Sequence, residues 1–169
     1  MAGMADPAIL YARFLRPSQA GWWALPLRAS IGFGFLFHGY AKLSHGPDKF
    51  GHILAGLHMP VPDLLAWLTT VTELTGGLAI LTGTLVPLAA LPMAFVLLVA
   101  IVTVHLPNGF DGIKLMGFAP DGTLKFGKPG FETDLAYLAG LAALALGGDS
   151  PLSFDRLLRR RVDSAHHQH

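Results

Sequence analysis

The chain has 169 residues, of which 52% are hydrophobic and only 14% are charged, and its mean hydropathy is +0.50. This composition is too apolar for an ordinary soluble domain of this size and indicates a membrane protein. The net charge of +1 gives no basis for nucleic-acid binding, and the lack of cysteine excludes disulfides and thiolate-based metal or redox sites within the chain.

Four apolar segments predict helices that cross a bilayer, because such a helix needs about 20 mostly apolar residues. They cover approximately residues 25–43, 62–81, 85–106 and 131–147. We therefore predict an all-α fold, an integral membrane four-helix bundle, that forms a single membrane domain over residues 1–169. An extended outer loop joins the third helix to the fourth.

The arginines indicate the orientation of the bundle. All seven lie before or early in the first helix, or after the fourth. Because basic residues are enriched on the cytoplasmic side of membrane proteins, we expect both termini in the cytoplasm and the first and third loops outside. Arg28, near the inner end of the first helix, is expected to extend towards the inner headgroups.

The two outer loops carry local patterns of their own. Residues 48–57 of the first loop have the spacing of a short amphipathic helix. The third loop, residues 107–130, is rich in glycine, which predicts turns or a small hairpin. Within it, residues 117–122 are the expected turn and residues 123–126 an expected strand.

Glu73 is a carboxylate in the middle of the second apolar segment. An ionisable side chain at that depth costs about 3 kcal/mol or more, so it requires a partner or a function. Helical spacing places it on one stripe with Thr70 and Gly77, and small residues allow helices to approach closely. We therefore predict that Glu73 points into the bundle, with His38 or His105 as its partner.

Helix depth places a set of ionisable side chains in the outer part of the bundle, at least one from each helix. The set is His38, Lys42, Glu73, His105 and Glu132. We predict a polar site there, in which all five are candidate ligand-binding residues and Glu73 and His38 are candidate catalytic residues.

Three interpretations of this site are open. A metal ion could be held by His38, Glu73, His105 and Glu132, since histidine and carboxylate on facing helices are common ligands, although no Glu-x-x-His spacing supports this. A quinone or another lipophile with a polar head could accept hydrogen bonds and protons from the same groups. Alternatively, Glu73 and its neighbours only specify how the helices pack.

Several segments also resemble a known family, in order and in spacing. They are Arg28-Ala-Ser-Ile-Gly-Phe-Gly-Phe-Leu-Phe-His-Gly-Tyr-Ala-Lys-Leu43, Glu73-Leu-Thr-Gly-Gly77, His105 with Asn108-Gly-Phe110, and Gly130-Phe-Glu-Thr-Asp-Leu-Ala-Tyr137. Together with Leu152-Ser-Phe-Asp155 they resemble the DoxX family over approximately residues 25–158. The resemblance implies a small, four-helix protein of the bacterial inner membrane, with polar positions at Arg28, His38, Lys42, Glu73, His105 and Glu132.

The family is named for its similarity to a subunit of a thiosulfate:quinone oxidoreductase, so the resemblance implies a component of a membrane redox system. We expect a quinone-linked oxidoreductase subunit, or alternatively a non-catalytic membrane adaptor or structural protein. The expected partners are the lipid bilayer and soluble or membrane redox proteins, and the small-residue stripes also fit a homo-oligomer.

Overall fold

The computed structural model describes residues 21–147 and 150–157, and it is mostly helical. The helices are α1 (Ala24–His45), α2 (Pro47–Gly56), α3 (Pro62–Thr82), α4 (Val86–Ala100) and α5 (Glu132–Leu146). A π-helical turn, Ile101–His105, and a 3-10 turn, Leu106–Asn108, continue α4. Two strands, β1 (Leu115–Phe118) and β2 (Leu124–Phe126), form an antiparallel hairpin between these turns and α5.

The predicted helices are confirmed with small changes in their ends. The short helix expected at residues 48–57 is α2, and the hairpin expected in the third loop is present. The helix predicted over residues 85–106 is confirmed as one helical segment, Val86–Asn108, whose last part is π-helical and 3-10 rather than α-helical. Of the arginines that indicated orientation, only Arg28 and Arg156 are among the described residues.

Two helical segments are long and apolar enough to cross a membrane, Pro62–Thr82 with a mean hydropathy of 1.5 and Val86–Asn108 with 2.5. α5 has only 15 residues, and its rise of about 22 Å is less than the roughly 30 Å of a bilayer core. Large apolar side chains point outward from α4, where Leu88, Leu91 and Phe95 are each more than 60% exposed. Such a surface is typical of contact with lipid rather than water.

The helices pack in a defined order. α1 lies against α3, α3 against α4, and α4 against α5, while α5 makes a lighter contact with α1. The start of α1 contacts the end of α3, and the end of α1 contacts an earlier part of α3, so these two helices are antiparallel. We call the end nearest His45 and Glu132 the loop end, and the end nearest Ala24 and Leu146 the terminal end. The buried apolar residues between the helices are Ala24, Ile31, Phe35, Ile80, Ala90, Met93, Leu97, Leu141 and Leu144.

α1 and α3 approach closely where two glycines meet. A Cβ atom added to Gly32 would lie 2.9 Å from the carbonyl oxygen of Gly77, and one added to Gly77 would lie 2.8 Å from the backbone nitrogen of Leu36. Backbone atoms cannot move aside as a flexible side chain can, so both positions require glycine. The stripe predicted for α3 is the buried one, since Thr70, Glu73, Gly76, Gly77 and Ile80 are all buried.

Arg28 ties the terminal ends of three segments together. Its guanidinium donates hydrogen bonds to the carbonyl oxygens of Ile80 and Leu81, at 3.0 and 2.8 Å, and to the hydroxyl of Ser150 at 2.6 Å. The last carbonyl oxygens of a helix lack the usual intrahelical donors, so Arg28 supplies a donor to Leu81 and adds a second one to Ile80, which also accepts from the backbone nitrogen of Gly83. The expectation that Arg28 extends to the headgroups is wrong, because the residue is only 4% exposed.

Asp155 fastens the same region from the other side. Its carboxylate accepts a hydrogen bond from the backbone nitrogen of Leu85, at 2.7 Å, just before α4 begins. The backbone nitrogen of Asp155 donates to the carbonyl oxygen of Gly83. The segment 150–157 therefore covers the turn between α3 and α4 and encloses the Arg28 guanidinium.

We expect Gly77→Ala to lower the free energy of unfolding by about 1–3 kcal/mol, because the added methyl group presses on the backbone of α1. Gly56→Ala is the matched control, since a Cβ added there meets no atom within 4 Å. Denaturant titration in a mild detergent measures both. Equal stability of the two variants would contradict the close approach of α1 and α3.

We expect Arg28→Lys to destabilise the protein by about 1.5–3 kcal/mol, because an ammonium cannot reproduce the planar fork that reaches α3 and Ser150 together. Arg156→Lys, in the same region but with a more accessible side chain, serves as the control and should change stability little. Thermal unfolding measures the stability of both variants. An unchanged unfolding temperature for Arg28→Lys would show that the hydrogen bonds of the guanidinium do not contribute to stability.

Candidate functional site

The Lys42 ammonium and the Glu73 carboxylate form an ion pair between α1 and α3. The Lys42 Nζ atom lies 2.5 Å from Glu73 Oε2, and the two side chains are 19% and 7% exposed. Glu73 lies eleven residues after Pro62, so about 16 Å along α3 from the loop end. The prediction that Glu73 points into the packed interior is confirmed, but the prediction of His38 or His105 as its direct partner is wrong.

Helix geometry explains why Lys42 reaches Glu73. Gly39 lies directly against Glu73 and Leu74, so the two helix backbones are close at this level. Lys42 is three residues further along α1, approximately one helical turn nearer the loop end. Its long side chain can extend back over that turn, and its ammonium also lies 5.0 Å from the centre of the Phe50 ring on α2.

His38 lies beside this pair but on the outside of α1. The residue is exposed, and it immediately precedes Gly39, the residue of α1 that packs against Glu73. The pair therefore has a protein side, formed by Gly39 and Leu74, and a more accessible side near His38.

A second pair joins the end of the α4 segment to the start of α5. His105 Nδ1 lies 2.5 Å from Asp134 Oδ2, and the two side chains are 26% and 10% exposed. His105 is the last residue of the π-helical turn, where the wider turn changes the direction in which side chains leave the helix. This contact fixes Nδ1 as the ring nitrogen that faces Asp134, so Nε2 points away from the carboxylate.

Glu132 does not join either pair. It is exposed at the first position of α5, and its Oε2 atom accepts a hydrogen bond from the backbone nitrogen of Gly112 at 2.9 Å. Asn108 fastens the other side of the same loop by donating to the carbonyl oxygen of Pro129 at 3.0 Å. Glu132 therefore holds the third loop against α5, a structural position rather than one beside Glu73.

The five predicted residues thus separate into three groups. Lys42 and Glu73 are in direct contact with His38 nearby, His105 pairs with Asp134, and Glu132 binds the loop backbone. Within residues 21–147 and 150–157, no three histidine, aspartate or glutamate side chains come together as a group that could hold a metal ion. The geometry of the described residues gives the metal interpretation no support.

Asp134 is the residue that the sequence interpretation missed. It is buried and shares the inward face of α5 with Leu141 and Leu144, seven and ten residues later. The fourth helix also carries a stripe of mostly small residues, Glu132, Ala136, Ala139, Gly140 and Ala143, but of these only Gly140 is buried. The apolar periodicity that starts at Asp134 was the available signal, since it identifies the face that packs on α4.

Two surface grooves lie outside the ion pairs. One, with a volume of about 430 Å³, follows the light contact between α1 and α5 and includes Ser30, Tyr137 and Gly140. The other, about 240 Å³, lies between α3 and α4 towards the terminal end and includes Thr72, Gly76 and Pro92. Neither groove includes a member of the two ion pairs.

Comparison with known proteins adds an independent line of evidence. The model of the DoxX family matches residues 23–106, which include α1, α2, α3, α4 and the π-helical turn. The uncharacterized membrane protein Rv3486 of Mycobacterium tuberculosis is 31% identical over 145 residues, which is 80% of this chain and 81% of that protein. No solved structure matches the chain significantly.

We expect Lys42→Met to lower the free energy of unfolding by about 3–5 kcal/mol, because it leaves the Glu73 carboxylate buried without a partner. The double variant Lys42→Met, Glu73→Met should recover most of that loss, since it removes both charges and keeps similar volume. Lys49→Met, on the exposed face of α2, is the control for loss of a positive charge. Chemical unfolding in detergent measures all three, and additive losses in the double variant would show that the two side chains do not interact.

Proposed function

We propose a function for this chain on the basis that it belongs to the DoxX family. It is a membrane protein, and contact with the lipid bilayer follows from that. We propose further that α1, α3, α4 with its two turns, and α5 cross the bacterial inner membrane as a four-helix bundle. In this arrangement both termini are cytoplasmic, and the loop end, with the hairpin, is outside.

The proposed activity is that of a quinone-linked component of a membrane oxidoreductase. The observation that carries it is the Lys42–Glu73 ion pair between two apolar helices, α1 and α3, with the exposed His38 next to Gly39 on α1. Ionisable groups inside a membrane segment are expensive and commonly mark a pathway for protons or a binding site. A quinone arrives through the lipid, so it would reach this site from the side on which His38 is exposed.

Each residue has a distinct role in this proposal. The His38 imidazole would donate a hydrogen bond to a carbonyl oxygen of the quinone ring, and would supply or accept a proton there. Lys42 and Glu73 lie behind it and would hold the next proton, exchanging it with His38 as the charge of the site changes. The His105–Asp134 pair, nearer the loop end, would connect such protons to the outside.

Reduction of a quinone to a quinol requires two electrons and two protons. The residues named above would supply the protons, whereas the electrons would come from a soluble or membrane redox partner of this chain. Glu132 would take no part in the transfer, since it holds the loop that contains Gly112. Its role would be to keep the outer surface near His105 in place.

A specific observation favours a second candidate, a non-catalytic membrane adaptor. Among the described residues, no buried side-chain nitrogen or oxygen lacks a hydrogen-bond partner. Polar pairs that are already satisfied stabilise helix packing without any ligand. In this alternative the Lys42–Glu73 pair only fixes the register of α1 against α3, and the function of the chain is to bind other proteins.

Quinone titration of the purified protein in lipid nanodiscs tests the proposal. We expect saturable binding of a short-chain quinone, and we expect His38→Ala to weaken it about tenfold or more through loss of a hydrogen bond to the ring. Glu73→Gln should keep the fold and reduce the pH dependence of binding. His52→Ala, which removes another exposed histidine from α2, is the control and should leave the affinity unchanged.

Two results would contradict the quinone proposal. One is a well-folded wild-type protein that binds no quinone, and the other is equal affinity of wild type, His38→Ala and His52→Ala. Either result would favour the adaptor interpretation, in which Glu73→Gln changes only the stability of the protein.

A further inference from the structure

The hairpin between Asn108 and Glu132 extends beyond β1 and β2, and we call this whole segment the ribbon. Beyond the pairing of β1 with β2, the backbone nitrogen of Gly127 donates to the carbonyl oxygen of Lys114, and that of Gly130 donates to Asp111, both at 2.8 Å. At the base, the rings of Phe110 and Phe131 pack edge to face with their centres 5.5 Å apart. The ribbon is therefore anchored to the loop end and not loosely attached.

A β-bulge determines which side chains share a face of this ribbon. Leu115 pairs with Phe126, Gly117 with Lys125 and Phe118 with Leu124, so that between Leu115 and Gly117 two steps along β1 oppose one step along β2. The extra residue shifts the alternation of β1, so that Leu115 and Phe118 face the same way although they are three positions apart. Directly paired residues share a face, and so do alternate residues of one strand.

The result is an apolar face that consists of Leu115, Phe118, Leu124 and Phe126. All four side chains are more than half exposed, and Phe118 is 74% exposed. Lys125, between Leu124 and Phe126, points from the opposite face. A two-stranded hairpin is at best marginally stable in water, so this face needs a covering surface.

The apolar face continues a surface that already belongs to the membrane-facing part of the chain. Exposed apolar side chains recur along the last turns of the α4 segment and in the residues that lead into the ribbon. They are Leu98, Val102, Leu106, Phe110 and Ile113, of which Ile113 is 80% exposed. Lipid that covers α4 can therefore cover the ribbon as well. A protein partner that covered only the ribbon would have to end within this series of exposed apolar side chains.

The charges around the ribbon fit a lipid surface as well. Lys114 and Lys128 lie near the base and Lys125 on the opposite face, while Asp111 lies at the base and Asp121 in the turn, where its carboxylate accepts hydrogen bonds from Thr123. Lysines beside an apolar face are typical of segments that lie in the headgroup region, where the ammonium groups meet lipid phosphates. Aromatic side chains such as Phe118 and Phe126 are favoured at the same depth.

We propose that this ribbon lies in the lipid leaflet at the loop end, with Leu115, Phe118, Leu124 and Phe126 among the acyl chains and Lys125 towards water. The proposal rests on the membrane placement of α4 and not on quinone binding. The ribbon would thus act as a wedge that holds the loop end at a fixed depth.

Site-specific spin labelling tests this placement directly, because the chain contains no cysteine that would compete for the label. A nitroxide is attached at Phe118→Cys on the apolar face or at Lys125→Cys on the opposite face. The full chain is then placed in nanodiscs of phosphatidylethanolamine and phosphatidylglycerol. Collision with oxygen, which concentrates in lipid, is compared with collision with a water-soluble nickel complex.

We expect the Phe118→Cys label to collide several-fold more with oxygen than with the nickel complex, and the Lys125→Cys label to show the reverse. Leu124→Cys, on the same face as Phe118, repeats the measurement if the first variant folds poorly. Preference for the nickel complex at both positions would overturn the proposal by placing the ribbon in water. Shielding of the Phe118→Cys label from both reagents would also overturn it, because protein would then cover the face.

A label at Phe95→Cys separates failure of this inference from failure of the membrane placement. Phe95 is 67% exposed on α4, away from the ribbon. If its label collides with oxygen while both ribbon labels meet the nickel complex, only the position of the ribbon is wrong. If the Phe95→Cys label also meets the nickel complex, the proposed membrane placement of α4 is wrong.

Discussion

The constraint on which the structure depends is a carboxylate that sits inside an apolar helix. Glu73 is 7% exposed at its side chain, and without a partner a charge there would oppose the packing of α3 against α1. Lys42 neutralises it from α1, and Gly39 allows the helix backbones to come close enough for the contact. Arg28 adds a second polar contact at the opposite end, so the register of the two helices is fixed twice.

A second polar pair joins the α4 segment to α5, and its two side chains are more exposed than those of Lys42 and Glu73. His105 meets Asp134 only because the helix that begins at Val86 widens into a π-helical turn before it ends. This contact lies at the loop end, as the Lys42–Glu73 pair does, whereas Arg28 and Asp155 organise the terminal end. The two ends therefore differ in chemistry: titratable pairs occupy one, and an arginine bound to carbonyl oxygens occupies the other.

Periodicity predicted which face of α3 is buried, because small residues and a single carboxylate lie on one stripe of that helix. It could not identify the partner of Glu73, since a lysine can extend over a full turn whereas helix depth favoured His38 or His105. The pairing of His105 with Asp134 depends on a π-helical turn that leaves no pattern in the sequence. Arg28 was misplaced for a related reason, because its acceptors on segment 150–157 are more than 120 residues away in the chain.

Solid-state NMR in lipid bilayers tests the central claim most directly, by measuring the dipolar coupling between a ¹³C-labelled Glu73 carboxyl carbon and the ¹⁵N-labelled Lys42 ammonium nitrogen. We expect a strong coupling at neutral pH, because Nζ and Oε2 are 2.5 Å apart, and we expect the chemical shift of an ionised carboxylate. A protonated carboxyl group with no coupling to Lys42 would contradict it.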